Sequence, residues 1–297
     1  MAASQDFPDP HRARSVKTVV VTDSACGLTP TRGRVWGIVV VPLLVSIDGV
    51  EYSENDLDHQ PFYERLADGA VVSTSQPSPG DFRKAYEKAG QAGADRVISI
   101  HVGGQLSGTV NSARLAAEAA GLSVEVVDTR TASMPAGLAV LAVAEALSKD
   151  PTADVEAVVA AEVAAQRNVF ISLDPTRLAA GGRAPGFAGQ IPVLSMTAAG
   201  IHPVDSASTV EEAVELMAAW LGSEAHELTV WVGDGGATRL GDELAVAVRR
   251  RKRSLSVRRY TVPPSVGANT GPTVGLVISP LSIPDLPSRP GPAMVTP

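Results

Sequence analysis

The chain has 297 residues, 44% hydrophobic and 19% charged, a globular composition long enough for two domains. Its formal net charge of −7 argues against a nucleic-acid partner, and no apolar run reaches the roughly 20 residues of a membrane helix. The single Cys26 excludes an intramolecular disulfide, and with five histidines neither a metal site nor another cofactor is expected.

Residues 1–15 are polar and Pro-containing with no apolar core, which predicts a disordered N-terminus rather than a secretory signal and a cytoplasmic chain. Val16 to Thr22 reads as a buried strand. Asp23 and Ser24 follow it on the rim where open α/β sheets bind ligands, although a local turn role fits Asp23 equally well. Val35 to Val45 reads as one further strand, stopped by Asp48-Gly49. Asp58 and Pro61 open a short helix through Leu66. Thr74, Ser75 and Gln76 are expected in a polar loop on the rim. Ser78-Pro79 with Asp81 then starts a helix that runs through Ala89.

Val97, Ile98, Ile100 and Val102 form the apolar run of a strand buried on both faces, and from Thr109 the apolar positions recur at helical spacing. Between them stands Leu106-Ser107-Gly108-Thr109, where backbone amides and two hydroxyls converge on a helix start, the usual place for an anion. An ordinary βα turn with a Ser/Thr cap fits the same residues. Gly103 and Gly108 have P-loop spacing, but Thr109 and Val110 stand where Lys and Ser/Thr belong. Ser107 is not in a nucleophile elbow, since Gln105 occupies a required Gly position. The site therefore suits a carboxylate or a small phosphate. Val124 to Val127 and a helix at Ala136 to Leu147 complete a parallel α/β domain over 16–151.

The second half, 152–279, reads as an α+β domain. Helices are expected at Asp154 to Gln166, Thr209 to Leu221 and Thr238 to Lys252. The strands are Val169 to Leu173, Ile191 to Met196, Ile201 to Val204, Leu228 to Val232, Ser254 to Val262 and Thr273 to Ile278. The basic run Arg249 to Arg253 reads as a solvated helix end that suits the dipole, rather than a nucleic-acid patch. Gly181-Gly182-Arg183 places a guanidinium after two flexible residues, able to reach into a cleft and grip a carboxylate or phosphate. Asn269-Thr270-Gly271-Pro272 is expected as a tight polar turn. The Pro-rich tail over 280–297 is expected to be disordered.

Taken together, Thr22-Asp23-Ser24, Val41-Pro42-Leu43, Thr74-Ser75-Gln76-Pro77-Ser78, Leu106-Ser107-Gly108-Thr109, Asp128, Gly181-Gly182-Arg183 and Thr270-Gly271-Pro272 resemble the motifs of the DegV-like fatty-acid-binding proteins, in order along nearly the whole chain. The resemblance implies a parallel α/β domain and a second domain with a largely antiparallel sheet, with a long-chain fatty acid in a tunnel between them. It implies that Thr74 and Ser107 hold the carboxylate, with Ser75 and Gly108 as helpers and Asp23, Ser24, Arg183 and Asn269 at the rim. It also implies a binding protein that performs no chemistry and presents its ligand to a separate ATP-dependent fatty-acid kinase.

Three features depart from the pattern. Asn269 stands where the family commonly has His before T-G-P, and Asn neither carries a charge nor shuttles a proton. The stretch between Arg183 and Pro192 is shorter than the family's connection. The basic residue usual after the next turn is absent from Asp205-Ser206-Ala207-Ser208. Two rival readings follow: a Ser-dependent acyl hydrolase with Ser107 as nucleophile and His101 the nearest base, and a lipid-free regulatory or interaction module of the same fold.

Overall fold

The computed structural model describes residues 16–184, 190–222 and 228–280. The terminal stretches expected to be disordered, 1–15 and, beyond residue 280, the Pro-rich tail, lie outside the described residues.

The first half runs β1 (Thr18–Asp23), α1 (Pro30–Val35), β2 (Ile38–Val41), β3 (Leu44–Ile47), β4 (Val50–Ser53), α2 (His59–Ala67), β5 (Val72–Ser75), α3 (Pro79–Gln91), β6 (Arg96–His101), α4 (Thr109–Glu118), β7 (Ser123–Asp128) and α5 (Ser133–Lys149). A four-stranded sheet, ordered β2-β1-β6-β7, is parallel throughout, as strand–helix alternation requires. The expected single strand over Val35–Val45 is divided. Val35 ends α1, and Pro42, which has no N–H to give to a ladder, breaks the run so that β2 and β3 enter different sheets. β3 lies at the centre of a three-stranded antiparallel sheet, β4-β3-β5, that the sequence reading did not anticipate. Thr74 and Ser75 therefore stand on a strand and not in a loop, opposite Val45 and Leu44.

The second half runs α6 (Val155–Ala165), β8 (Arg167–Ser172), α7 (Pro175–Ala180), β9 (Ile191–Thr197), β10 (Gly200–Ala207), α8 (Val210–Ala219), β11 (Thr229–Gly235), α9 (Thr238–Arg251), β12 (Ser256–Thr261), α10 (Pro264–Thr270) and β13 (Thr273–Ser279). Its six-stranded sheet is ordered β10-β9-β8-β13-β11-β12 and is antiparallel except for the β11–β12 pair. Two short helices were missed. α7 and α10 each begin with a proline, which costs nothing at a helix start because the first amides have no partner there. The expected turn at Asn269-Thr270 is thus the last turn of α10, closed by Gly271 at φ 68°. At the end of α9, Arg250 and Arg251 pair with Glu215 of α8.

One helix joins the two sheets. Every residue of α5 from Ser133 to Val143 is buried, so its first three turns are buried on all sides rather than amphipathic, while Glu145 and Lys149 pair in its last turn. Met134, Leu138 and Val140 share one core with Val20, Ile98 and Ile100 of the parallel sheet and with Trp231, Tyr260 and Val277 of the large sheet. Beside it, Tyr63 of α2 donates its hydroxyl to the Val262 carbonyl at 3.0 Å and ties the small sheet to the large one.

Candidate functional site

Where the three sheets meet they enclose a cavity of about 310 Å³, within the range of small-molecule sites. Its wall is apolar over Phe170, Val169, Leu276 and Val277 of the large sheet and Ala132 and Pro135 near the start of α5. Polar groups gather at one pole. Thr74 and Ser75 arrive there from β5, Ser107 and Gly108 from the loop before α4, Asn269 from α10 and Arg183 from beyond α7. The structure thus places six of the eight sequence-predicted site residues around one space.

The loop before α4 is rigidly held. Asp128, at the end of β7, accepts the Gly104 amide at 3.2 Å, and Gln105 Nε2 donates to the Arg130 carbonyl at 2.8 Å. The amides of Leu106 and Ser107 turn back onto the Gly103 carbonyl at 2.8 and 3.1 Å. The expected amide nest is therefore narrower than the sequence implied, and consists of the Ser107 hydroxyl and the Gly108 end of α4. Ser107 Oγ lies 2.8 Å from Thr109 Oγ1. Gly108 packs closely on the Gln76 carboxamide: a Cβ there would lie 2.1 Å from Gln76 Oε1, and that side-chain end would have to move. Gln76 in turn donates from Nε2 to Ser112 Oγ at 3.1 Å.

Across the pole, Asn269 Nδ2 donates to the Ser265 carbonyl at 2.8 Å and to Thr74 Oγ1 at 3.4 Å. The first bond fixes the amide's orientation. Thr74 then acts as acceptor toward Asn269, which keeps its own hydroxyl proton for another acceptor. Arg183 donates from Nε to the Leu106 carbonyl at 3.3 Å, bridging from the second half of the chain to the anion loop. Among the described lining residues it is the one that carries a charge, and its burial lowers its pKa. A monoanion brought beside it relieves that desolvation.

Asp23 and Ser24 do not line this cavity, which corrects their expected place on its rim. Asp23 is fully buried. Its Oδ2 accepts from His101 Nδ1 at 2.9 Å and the Val102 amide at 3.0 Å, and its Oδ1 accepts the Ala25 amide at 3.0 Å. Where β1 turns away, the carboxylate takes over the ladder's role toward β6. Ser24 Oγ donates to Glu54 Oε2 at 2.5 Å and accepts the Leu43 amide at 2.8 Å.

His101, the base a Ser107 hydrolase would use, is buried with Nδ1 on Asp23 and Nε2 2.7 Å from Ser99 Oγ. Both ring nitrogens are occupied, and the ring lies outside the cavity lining. Cys26 is buried too, and burial pushes its thiol up to about 12. Sequence reasoning missed the wall residues Phe170, Met196 and Tyr260, because their alternation marks them only as strand residues.

A family model described as an uncharacterised protein, DegV family, matches residues 17–281. The chain belongs to the DegV family. A DegV domain-containing protein of Streptomyces coelicolor is 31% identical over 278 residues, 88% of this chain and 97% of the relative. Another, from Deinococcus radiodurans, is 47% identical over 128 residues, 42% of this chain and 45% of the relative's length. A solved DegV lipid-binding protein from Thermotoga maritima superposes with a TM-score of 0.78 at 25% identity, over 89% of this chain and 98% of its own. A DegV family protein from Thermus thermophilus, described by its fatty-acid binding, gives 0.76 at 28% identity, over 89% and 100%. The parallel sheet and the separate, mostly antiparallel sheet match the two-domain DegV architecture. Among the described residues no helix is long and apolar enough to cross a membrane.

Proposed function

We propose that this DegV protein binds a long-chain fatty acid in the cavity, its carboxylate at the polar pole and its acyl chain along the apolar wall. The observation that carries the reading is a cavity that combines a cluster of hydroxyl and amide groups beside one cation, Arg183, with a broad apolar wall. Thr74 and Ser107 donate to the carboxylate, Ser75 and Gly108 assist, and Arg183 supplies the compensating charge. Each buried methylene contributes about 0.8 kcal/mol, so the chain provides affinity while the pole sets direction. The fatty-acid binding of the Thermus thermophilus relative supports this assignment. Presentation of the bound acid to a separate ATP-dependent kinase is the finer part of the proposal and rests on the family resemblance. Asn269, with its amide protons directed to Ser265 and Thr74, acts on the ligand through Thr74.

Native mass spectrometry of the purified protein, followed by lipid extraction, tests the proposal. The expected result is a co-purifying mass that resolves into long-chain fatty acids. An empty protein that also refuses added fatty acid overturns it and leaves the lipid-free module of this fold as the better account. In the Thr74→Ala/Ser107→Ala variant, loss of two hydrogen bonds to a charged group, each worth about 1.5 kcal/mol or more, weakens binding roughly 100-fold.

A further inference from the structure

Glu54 is 3% exposed and bears a carboxylate with no cationic partner within bonding distance among the described contacts. Neutral donors hold it. Oε2 accepts from Ser24 Oγ and Oε1 accepts from the Ser265 amide, both at 2.5 Å, while its own amide donates to the Leu43 carbonyl at 2.9 Å. Three pieces of the molecule converge on this one residue, the turn after β1 and the first turn of α10 on its carboxylate and the β2–β3 junction on its backbone amide. The arrangement carries a cost, because burial raises the Glu54 pKa and disfavours the ion.

Ser265 is the connecting residue. Its N–H is held by Glu54, and its carbonyl receives Asn269 Nδ2, which also reaches Thr74 Oγ1. Ser265 and Asn269 are four residues apart, one turn of α10, and both line the cavity. α10 is a single short segment between Pro263 and Gly271, with no side-chain cap of its own. Its placement is therefore set from outside.

We propose that Glu54 is a positioning residue of the polar pole, pinning the first turn of α10 across the interface so that Asn269 orients the Thr74 hydroxyl toward the ligand's carboxylate. The inference rests on the fatty-acid reading of the cavity and adds a buried contributor that touches no ligand. The chain of contacts runs from Glu54 through Ser265 and Asn269 to Thr74, so loss of either Glu54 or Asn269 breaks the same path.

The test is a double-mutant cycle on the full chain, with the fluorescent fatty acid cis-parinaric acid as probe and hydrogen exchange of the 264–270 segment as a second readout. Glu54→Ala and Asn269→Ala each raise the Kd about tenfold, and the double variant is no weaker than either alone. Glu54→Gln, which retains one acceptor oxygen for the Ser265 amide, recovers most of the loss. Exchange at 264–270 speeds up in Glu54→Ala but not in Asn269→Ala. Additive losses, or a Glu54→Gln variant as weak as Glu54→Ala, overturn the proposal. Should Glu54→Ala fail to fold, Glu54→Asp takes its place: a carboxylate one methylene short leaves Ser265 unprotected and raises the Kd, and unchanged protection overturns the proposal. If instead Thr74→Ala/Ser107→Ala binds the probe as wild type does, the carboxylate assignment itself fails. The two failures are thus separable.

Discussion

Two pairs of polar residues at strand ends look alike in the sequence and serve opposite ends in the fold. Asp23 and Ser24 close β1, and Thr74 and Ser75 close β5. Asp23 and Ser24 are saturated by internal donors and acceptors and hold the backbone of β6 and of the β2–β3 junction. Thr74 accepts one bond from Asn269 and faces the cavity with its own proton uncommitted. A polar side chain at a strand end is thus only a candidate. Whether the fold has already satisfied it decides if it can serve a ligand.

Substitutions at the two pairs should separate stability from binding. The largest effect is expected for Asp23→Ala, which strands the Val102 and Ala25 amides and His101 Nδ1 in the core. A loss of about 3 kcal/mol or more should appear in chemical denaturation, and loss of less than about 1 kcal/mol would break the contrast. Next comes Thr74→Ala/Ser107→Ala, whose roughly 100-fold loss of affinity should leave the denaturation midpoint of the lipid-free protein within about 0.5 kcal/mol of wild type. Gly108→Ala should be intermediate in kind. Its Cβ displaces the Gln76 carboxamide, so affinity falls about tenfold by fluorescence titration while stability changes little. The smallest effect concerns Cys26. With the folded thiol's pKa near 12 and the unfolded value near 8.5, the reactive thiolate is scarcer in the native state. Alkylation at pH 8 should therefore be slow in the native protein and fast in denaturant, and equal rates would show that the thiol is not sequestered.

Much of this architecture was legible because hydrophobic periodicity follows burial. The strands of the parallel sheet and the capped start of α3 at Ser78 with Asp81 follow from local chemistry, whereas the antiparallel pairing of the second half was expected only from the family resemblance. What escaped detection depended on pairing partners. Val72–Ser75 is polar enough to read as loop, and only β3 on its flank makes it a strand. The short helices α7 and α10 owe their helicity to packing, since six or seven residues do not sustain a helix alone. The same holds at the site. Thr74, Ser75, Ser107, Gly108, Arg183 and Asn269 could be picked out by residue type, whereas Glu54 gave no signal because its importance lies in partners 30 and 211 positions away.

The buried stretch of α5 from Ser133 to Val143 bears on how far the two halves of the chain can part. Five large side chains, Met134, Leu138, Val140, Leu141 and Val143, are buried in this helix between the sheets. Exposing even half of that surface would cost roughly 5 kcal/mol, comparable with the whole stability of many domains. A clamshell opening of the two lobes is therefore too expensive to serve as a loading step. The helix acts as an axle that keeps the two halves of the chain together.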